Sequence, residues 1–286
     1  MRSPQPLSAA LAAIARIERI VARDPGRRGI ANLVQWGTLA AAARALWGTR
    51  QAGIISGFYL PVPRAGETDG PPGAKALGRA LSQLGSDVVY LTDALNAPLF
   101  AALGLARVEV FGPDTLGNLN ATHLVSIERP GRAADGRYYN MAGRDISEFT
   151  APLDDLFLHA RERHMATIAI GDGGNEIGMG NVREGVKTDI PHGAKIACVV
   201  ECDHLIVAGV SNWGAYGLSG ALSVLAGRDL LPSAAEAEAD ILAIVEAGAA
   251  DGQTFRHEPT VDSLPLEANL AVLADIRKAV AAARRA

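Results

Sequence analysis

Short apolar segments rich in β-branched residues alternate with longer amphipathic ones along most of the chain. Apolar residues that recur every three or four positions predict helices, and these cover 7–21, 32–47, 74–84, 97–103, 153–163, 209–225, 234–248 and 265 onward. Compact apolar runs between turn residues predict buried strands, at 53–56, 87–91, 107–111, 123–127, 166–170 and 204–208. This alternation favours a parallel sheet covered on both faces. We therefore predict an α/β fold, a mainly parallel sheet flanked by helices, in a single large domain (1–286) with helical N- and C-terminal segments.

Composition and charge narrow the class of protein. Of the 286 residues, 49% are hydrophobic and 20% are charged, which excludes a disordered or fibrous chain. The net charge of −4 offers no basic surface for nucleic acid. The stretch 205–227 has no charged residue and is long enough to cross a bilayer, but its five glycines favour a buried strand, turn and helix. We therefore expect neither a nucleic-acid nor a membrane partner.

The two cysteines, Cys198 and Cys202, bear on the compartment. They cannot supply a disulfide framework for a chain of this length, and no second Cys or His pair stands at zinc-binding spacing. The N-terminal segment has the pattern of an amphipathic helix rather than of a cleaved signal. These features predict a reduced, cytoplasmic protein.

Acidic residues follow most of the predicted strands. In a parallel sheet the carboxyl ends of the strands meet at one edge, where ligands bind. The acids expected at that edge are Glu67, Asp69, Asp93, Asp114, Glu128, Asp172 and Glu176. Crowded carboxylates raise one another's pKa unless a cation compensates, and hard oxygen ligands suit Mg²⁺ or Mn²⁺. The sequence thus favours one or two divalent metal ions, although any single acid could instead form a turn or cap a helix.

The segment 171–180, GDGGNEIGMG, fits none of the common glycine motifs. It lacks the G-K-[ST] of a P-loop, and Glu176 stands where the third glycine of G-x-G-x-x-G would fall. The pattern predicts a strand, a tight turn and a helix N-terminus, whose N–H groups could hold an anion while Asp172 and Glu176 hold a cation. In the alternative interpretation, Asp172 only caps the following helix.

Five segments carry a family resemblance: RDPGRRGI (23–30), ETDGPPGA (67–74), SIERPG (126–131), GDGGNEIGMGNV (171–182) and VAGVSNWGAYGL (207–218). Together they resemble the D-glutamate cyclase family, and more narrowly its C-terminal domain, which also occurs as a stand-alone bacterial and archaeal protein. The resemblance implies an α/β fold and a lyase that cyclises D-glutamate to 5-oxo-D-proline with loss of water. The eukaryotic cyclase has an additional N-terminal domain, for which this chain has no room. The positions that the resemblance marks are Glu67, Asp69, Glu128, Asp172, Asn175, Glu176 and Asn212.

These observations combine into one predicted site. The expected metal ligands are Glu67, Asp69, Asp172 and Glu176. The expected catalytic residues are Glu128, as general base, with Asp172 and Asn175. The expected substrate ligands are Arg129, for the α-carboxylate, with Ser211 and Asn212.

Two other functions remain open at the level of sequence. A divalent-metal-dependent phosphatase or hydrolase could use the same acidic pocket, and so could a metal or metabolite sensor without turnover. In each case the partner is a small molecule, an amino acid or a phosphorylated metabolite, and a homo-oligomer is compatible with the sequence.

Overall fold

A computed structural model of the chain describes residues 7–285. Its strands are β1 (Gln51–Ser56), β2 (Tyr59–Leu60), β3 (Ala65–Gly66), β4 (Asp87–Thr92), β5 (Val108–Val110), β6 (His123–Ile127), β7 (Ala166–Gly171), β8 (His204–Val207), β9 (Thr260–Val261) and β10 (Leu264–Pro265). Its α-helices are α1 (Leu7–Val21), α2 (Thr38–Leu46), α3 (Pro71–Gln83), α4 (Ala97–Ala102), α5 (Thr115–Asn118), α6 (Asp155–Glu162), α7 (Arg183–Asp189), α8 (Gly193–Ile196), α9 (Ser211–Ala226), α10 (Ala234–Glu246) and α11 (Leu266–Ala283). Short 3-10 helices cover Ile30–Leu33, Ser147–Phe149 and Met179–Val182.

Six strands form one sheet, in the order β5-β4-β1-β6-β7-β8, and every neighbouring pair in it is parallel. These six strands coincide with the six predicted from apolar runs, so the predicted α/β fold with a parallel sheet is confirmed. The chain builds the sheet outward from β1 on one side and then from β6 on the other. The direction of growth changes between the neighbouring strands β1 and β6. The carboxyl ends of these two strands are therefore the switch point at which such sheets bind ligands.

Alternate residues of each strand face opposite sides of the sheet, and both sides are buried. Ile54 points into the core formed with α1, α2, α3, α9 and α11, whereas Ile55 points into the core that includes α6 and α8. Helix α9 is buried from Ser211 to Val224 and packs against α1, α2, α3 and α11. The uncharged stretch 205–227 is thus a strand, a turn and a helix, as predicted. No helix within 7–285 is long and apolar enough to cross a membrane.

Two helix predictions need correction. The helix predicted over 32–47 is interrupted, because Gly37 has a φ of 94° and α2 begins only after it. The buried carboxylate of Glu18 fixes this break by accepting the Gly37 N–H (2.8 Å) and the Leu39 N–H (2.9 Å). The helix predicted from 74 begins at Pro71, because prolines are tolerated in a first helical turn, where the N–H groups need no partner within the helix.

The Glu18 contacts lead to a stability prediction. Glu18→Ala leaves two N–H groups of the α2 entry without their acceptor, so we expect the free energy of unfolding to fall by about 1–3 kcal/mol. Arg19→Ala, an exposed change one residue along the same helix, is the matched control and is expected to stay within about 0.5 kcal/mol. Urea unfolding followed by circular dichroism measures both. Equal stability of the two variants would contradict the capping role.

Candidate active site

The site is built on the first turn of α9. The Ser211 N–H donates to Asp69 Oδ2 (2.8 Å) and to Asp172 Oδ2 (3.1 Å), and the Asn212 N–H donates to Asp69 Oδ1 (2.7 Å). The free N–H groups and positive dipole end of a helix N-terminus stabilise carboxylates in this position. Asp69 therefore caps a helix that lies 142 residues away in the chain.

The capping is reciprocal. The Asn212 side-chain oxygen accepts the N–H groups of Gly70 (3.1 Å) and Gly73 (2.7 Å) at the start of α3, and its Nδ2 donates to the Thr68 carbonyl. Gly70 has a φ of 98°, and a Cβ there would lie 2.8 Å from Glu128 Cβ. The loop after β3 is thus pressed against the end of β6. Asn212, predicted as a substrate ligand, holds the two helix N-termini together.

Glu128 directly follows β6 and adopts a left-handed φ of 46°, a conformation that is strained for a glutamate and that clusters at functional sites. Its Oε2 accepts a hydrogen bond from the Ser211 hydroxyl (2.6 Å). Asp69, Glu128 and Asp172 are all buried, and each offers an oxygen within 4.8 Å of the other two. Such a group of hard oxygen donors fits a Mg²⁺ or Mn²⁺ ion.

Arg28 brings positive charge into this pocket. Its Nη2 lies 3.1 Å from Asp172 Oδ2 and 3.1 Å from Asp262 Oδ2, and it donates to the Gly209 carbonyl (2.7 Å). Within 7–285 it is the basic side chain that forms ion pairs with these acids. Sequence reasoning assigned no role to Arg28 or Asp262, because Arg28 precedes the sheet and Asp262 lies in the β9–β10 turn, outside the strand-end rule. The only signal for Arg28 was its place in the segment 23–30.

The acids of this pocket all have raised pKa values. Burial is the largest cause for each of them, and repulsion between neighbouring carboxylates adds to it. The pKa of Asp69 and that of Asp172 each rise from 3.8 to about 7, although the α9 amides oppose the shift at Asp69 and Arg28 opposes it at Asp172. The pKa values of Glu67, Glu128 and Asp262 are raised well above their ordinary range. The pocket therefore needs protons or a cation to compensate its charge.

The glycine loop after β7 differs from its prediction. No helix begins at Asp172, since the chain continues as a loop to the 3-10 turn at Met179. The N–H groups of Gly173 and Gly174 donate to the two oxygens of Glu176, both at 2.7 Å. The anion that they hold in this structure is the protein's own Glu176 carboxylate, and the prediction of a helix N-terminus at this loop is wrong. The assignment of Glu176 as a metal ligand stays a prediction, and its oxygens are not part of the three-acid group.

Other predicted residues lie around this centre. Asn175 is buried, and its Nδ2 donates to the Tyr139 carbonyl (2.7 Å). Arg129 is buried against Asp93, and it donates to the carbonyls of Gly57 (2.8 Å) and Ala151 (2.7 Å). Its guanidinium is thus engaged within the protein, so its predicted role in substrate binding gains no support from this placement.

Not every acid that follows a strand joins the cluster. Asp93 is paired with Arg129 and accepts the Leu95 and Asn96 N–H groups at the start of α4. Asp114 is exposed beyond β5, the edge strand of the sheet. The predicted convergence is therefore wrong for these two residues, because convergence depends on where a strand lies in the sheet.

Comparison with known proteins gives a family match over most of the chain. Residues 17–277 match the model of the D-glutamate cyclase-like C-terminal family. The human protein "D-glutamate cyclase, mitochondrial" is 38% identical over 239 residues, which make up 74% of this chain and 39% of the human protein. The chain thus spans well under half the length of that relative.

Among solved structures, the sugar isomerase domain of the RpiR transcription factor from Sphaerobacter thermophilus is similar at 17% identity. The match covers 85% of this chain and 97% of that one, with a TM-score of 0.34. A likeness at this level supports no functional inference.

The raised pKa values predict how stability depends on pH. Between about pH 4 and pH 7 the folded carboxyls of Asp69 and Asp172 keep protons that the unfolded chain has already released. Since the native state binds more protons in this range, stability falls as the pH rises. We expect the melting temperature in EDTA to fall between about pH 4 and pH 7, and to fall less in Asp172→Asn. Melting curves across a pH series measure this, and equal slopes for wild type and variant would contradict the shift.

Proposed function

The chain belongs to the D-glutamate cyclase-like C-terminal family, and from this premise we propose that it is a metal-dependent lyase that closes D-glutamate to 5-oxo-D-proline with loss of water. The observation that supports this proposal most directly is the buried group of Asp69, Glu128 and Asp172 at the switch point of the sheet. A dicarboxylic amino acid carries two negative charges, so an acidic pocket accepts it only when cations are present. Arg28 supplies one, and a divalent ion fits the three-acid group.

The three acids differ in how much of their bonding capacity is already used. Asp69 accepts three backbone N–H groups, whereas Asp172 and Glu128 each have one oxygen without a backbone or hydroxyl donor from residues 7–285. Asp172 and Glu128 therefore keep more acceptor capacity for an ion than Asp69 does. When bound, Mg²⁺ or Mn²⁺ would neutralise the γ-carboxylate of the substrate and polarise its carbonyl as a Lewis acid.

The residues of the chain supply proton transfer and orientation. Burial raises the pKa of Glu128, which makes its carboxylate a stronger base. Glu128 draws a proton from the substrate ammonium group and delivers it to the oxygen that leaves the γ-carboxylate. The ammonium nitrogen loses two protons in all, and both leave with that oxygen as water. The Ser211 hydroxyl orients Glu128 by its 2.6 Å hydrogen bond.

Arg28 is the residue that we assign to the α-carboxylate, in place of Arg129. Its guanidinium already lies among the buried acids, and Arg binds carboxylates with fixed planar geometry. With the γ-carboxylate and the α-carboxylate both fixed, only one enantiomer of glutamate can present its amine to Glu128. The proposed site is therefore stereospecific.

Stereospecific turnover is the first functional prediction. With Mn²⁺ present, we expect conversion of D-glutamate and at least about a hundredfold slower conversion of L-glutamate, because misplacing the amine loses the reactive geometry. Chiral chromatography of each reaction, with an EDTA control, measures this. Equal conversion of both enantiomers would contradict the proposal. Hydrolysis of a phosphomonoester in a parallel assay would favour the phosphatase, and metal binding without any turnover would favour the sensor.

The second functional prediction concerns removal of the Asp172 carboxylate. We expect Asp172→Asn to weaken Mn²⁺ binding by more than about 100-fold, and to abolish cyclisation, without unfolding the protein. Asp114→Asn makes the same chemical change at an exposed acid outside the cluster and should leave both properties unchanged. Calorimetric titration with Mn²⁺ and circular dichroism are the measurements. Wild-type metal affinity in Asp172→Asn would show that Asp172 only caps α9.

A further inference from the structure

Glu67 stands apart from the other acids of the pocket. Its side chain is buried, with the residue only 6% exposed, yet no N–H or O–H group within 7–285 donates a hydrogen bond to its carboxylate. In contrast, Asp69 and Asp172 accept the α9 amides, Glu128 accepts the Ser211 hydroxyl, and Asp262 accepts Arg28. Buried polar groups nearly always have a partner. An unpartnered carboxylate in a binding pocket therefore points to a donor that comes with the ligand.

The backbone holds Glu67 rigidly on two sides. Its N–H donates to the Phe58 carbonyl (2.8 Å), and the next N–H, of Thr68, donates to the Ala250 carbonyl (3.0 Å). The loop that follows Ala250 closes over the carboxylate, since a Cβ on Gly252 would lie 1.6 Å from Glu67 Oε1. These contacts fix the position of the Glu67 carboxylate at this end of the pocket.

Four neighbouring carboxylates repel the charge of Glu67 and so raise its pKa, in addition to burial. They are Asp262, whose effect is the largest of the four, Asp69, Asp172 and Asp251. Of these, Asp251 has its oxygens occupied by backbone N–H groups of its own loop and of Ser263 in the β9–β10 turn. One oxygen of Asp262 binds Arg28. The Asp262 carboxyl also hydrogen-bonds Asp172, so Glu67 is the acid of this pocket that lies outside the three-acid group and has no partner of its own within 7–285.

We propose that Glu67 is the subsite that binds the α-ammonium group of the amino-acid substrate. This inference rests on the proposed function, because it names the group of that substrate which enters this end of the pocket. A primary ammonium is compact, carries one positive charge and offers three donors. It satisfies the empty acceptors of Glu67 and reduces the repulsion between Glu67 and the neighbouring acids. One of its N–H groups remains directed toward Glu128, the proposed base, while the α-carboxylate lies toward Arg28 and the γ-carboxylate toward the bound ion.

The decisive comparison is between D-glutamate and glutarate, the same dicarboxylate without the amine. We expect Glu67→Gln to raise the KM of D-glutamate by about tenfold or more, while the Ki of glutarate stays the same or falls. Mn²⁺ affinity, measured by calorimetry, is expected to stay at the wild-type value. If turnover of the variant is too slow to follow, its Kd for D-glutamate is measured directly by calorimetry with Mn²⁺ present.

Two further variants complete the test. Gly252→Ala should reproduce the selective loss of D-glutamate, because its methyl group displaces the Glu67 carboxylate and Gly252 has no positive φ that an alanine would strain. Glu267→Gln removes a charge from an exposed position and should change nothing.

The outcomes distinguish an ammonium subsite at Glu67 from a metal ligand. Equal weakening of D-glutamate and glutarate, or a loss of Mn²⁺ affinity, would make Glu67 a metal ligand and overturn the ammonium subsite. Unchanged constants in both Glu67→Gln and Gly252→Ala would overturn it as well. A wild-type protein that binds Mn²⁺ but neither binds nor converts D-glutamate would overturn the proposed function itself, whatever the variants do.

Discussion

The carboxyl edge of the sheet depends on one residue, Ser211, at the first turn of α9. Its N–H is shared by Asp69 and Asp172, and its hydroxyl holds Glu128. Loops that follow three different strands are thereby tied to one helix N-terminus, where free N–H groups favour negative charge. Since α9 is buried over most of its length, this anchor cannot shift without disturbing the main core. The positions of the acids are therefore as rigid as the core itself.

The hydrogen bonds of Ser211 allow several buried carboxylates to lie close together, which a loop without such support could not achieve. Burial and mutual repulsion both destabilise the ionised carboxylates, and for this reason the pKa values of these acids are raised. Arg28 offsets part of the charge, and the left-handed backbone of Glu128 adds local strain. Such features collect at functional sites, where a ligand or ion completes what the protein leaves uncompensated. In the acidic pocket, either bound protons or a cation must provide this compensation.

The position of each strand in the sheet separates the acids that form the pocket from those that do not. Asp172 and Glu128 follow β7 and β6, which lie on one side of the switch point, and Asp69 lies in the connection from β1. Asp114 follows β5, the far edge strand, and remains exposed. All four looked alike in sequence, because each comes after an apolar run. The local pattern of apolar residues shows where a strand ends. The order of the strands in the sheet, however, follows from helix packing across the whole chain.

The sequence by itself determined the elements and the kind of chemistry. Apolar runs specified the six strands because a parallel sheet with both faces buried needs them, and the acids after those strands pointed to the carboxyl edge, where parallel sheets bind ligands. Only the tertiary structure decided which side chains meet. Arg28 joins Asp262 across 234 residues, and Glu176 takes up the amides of its own loop. The Arg28 contact has no local signature, because its distance exists only after the helices pack onto the sheet. The Glu176 contact is local, but the order of residues does not show which carboxylate the loop amides bind.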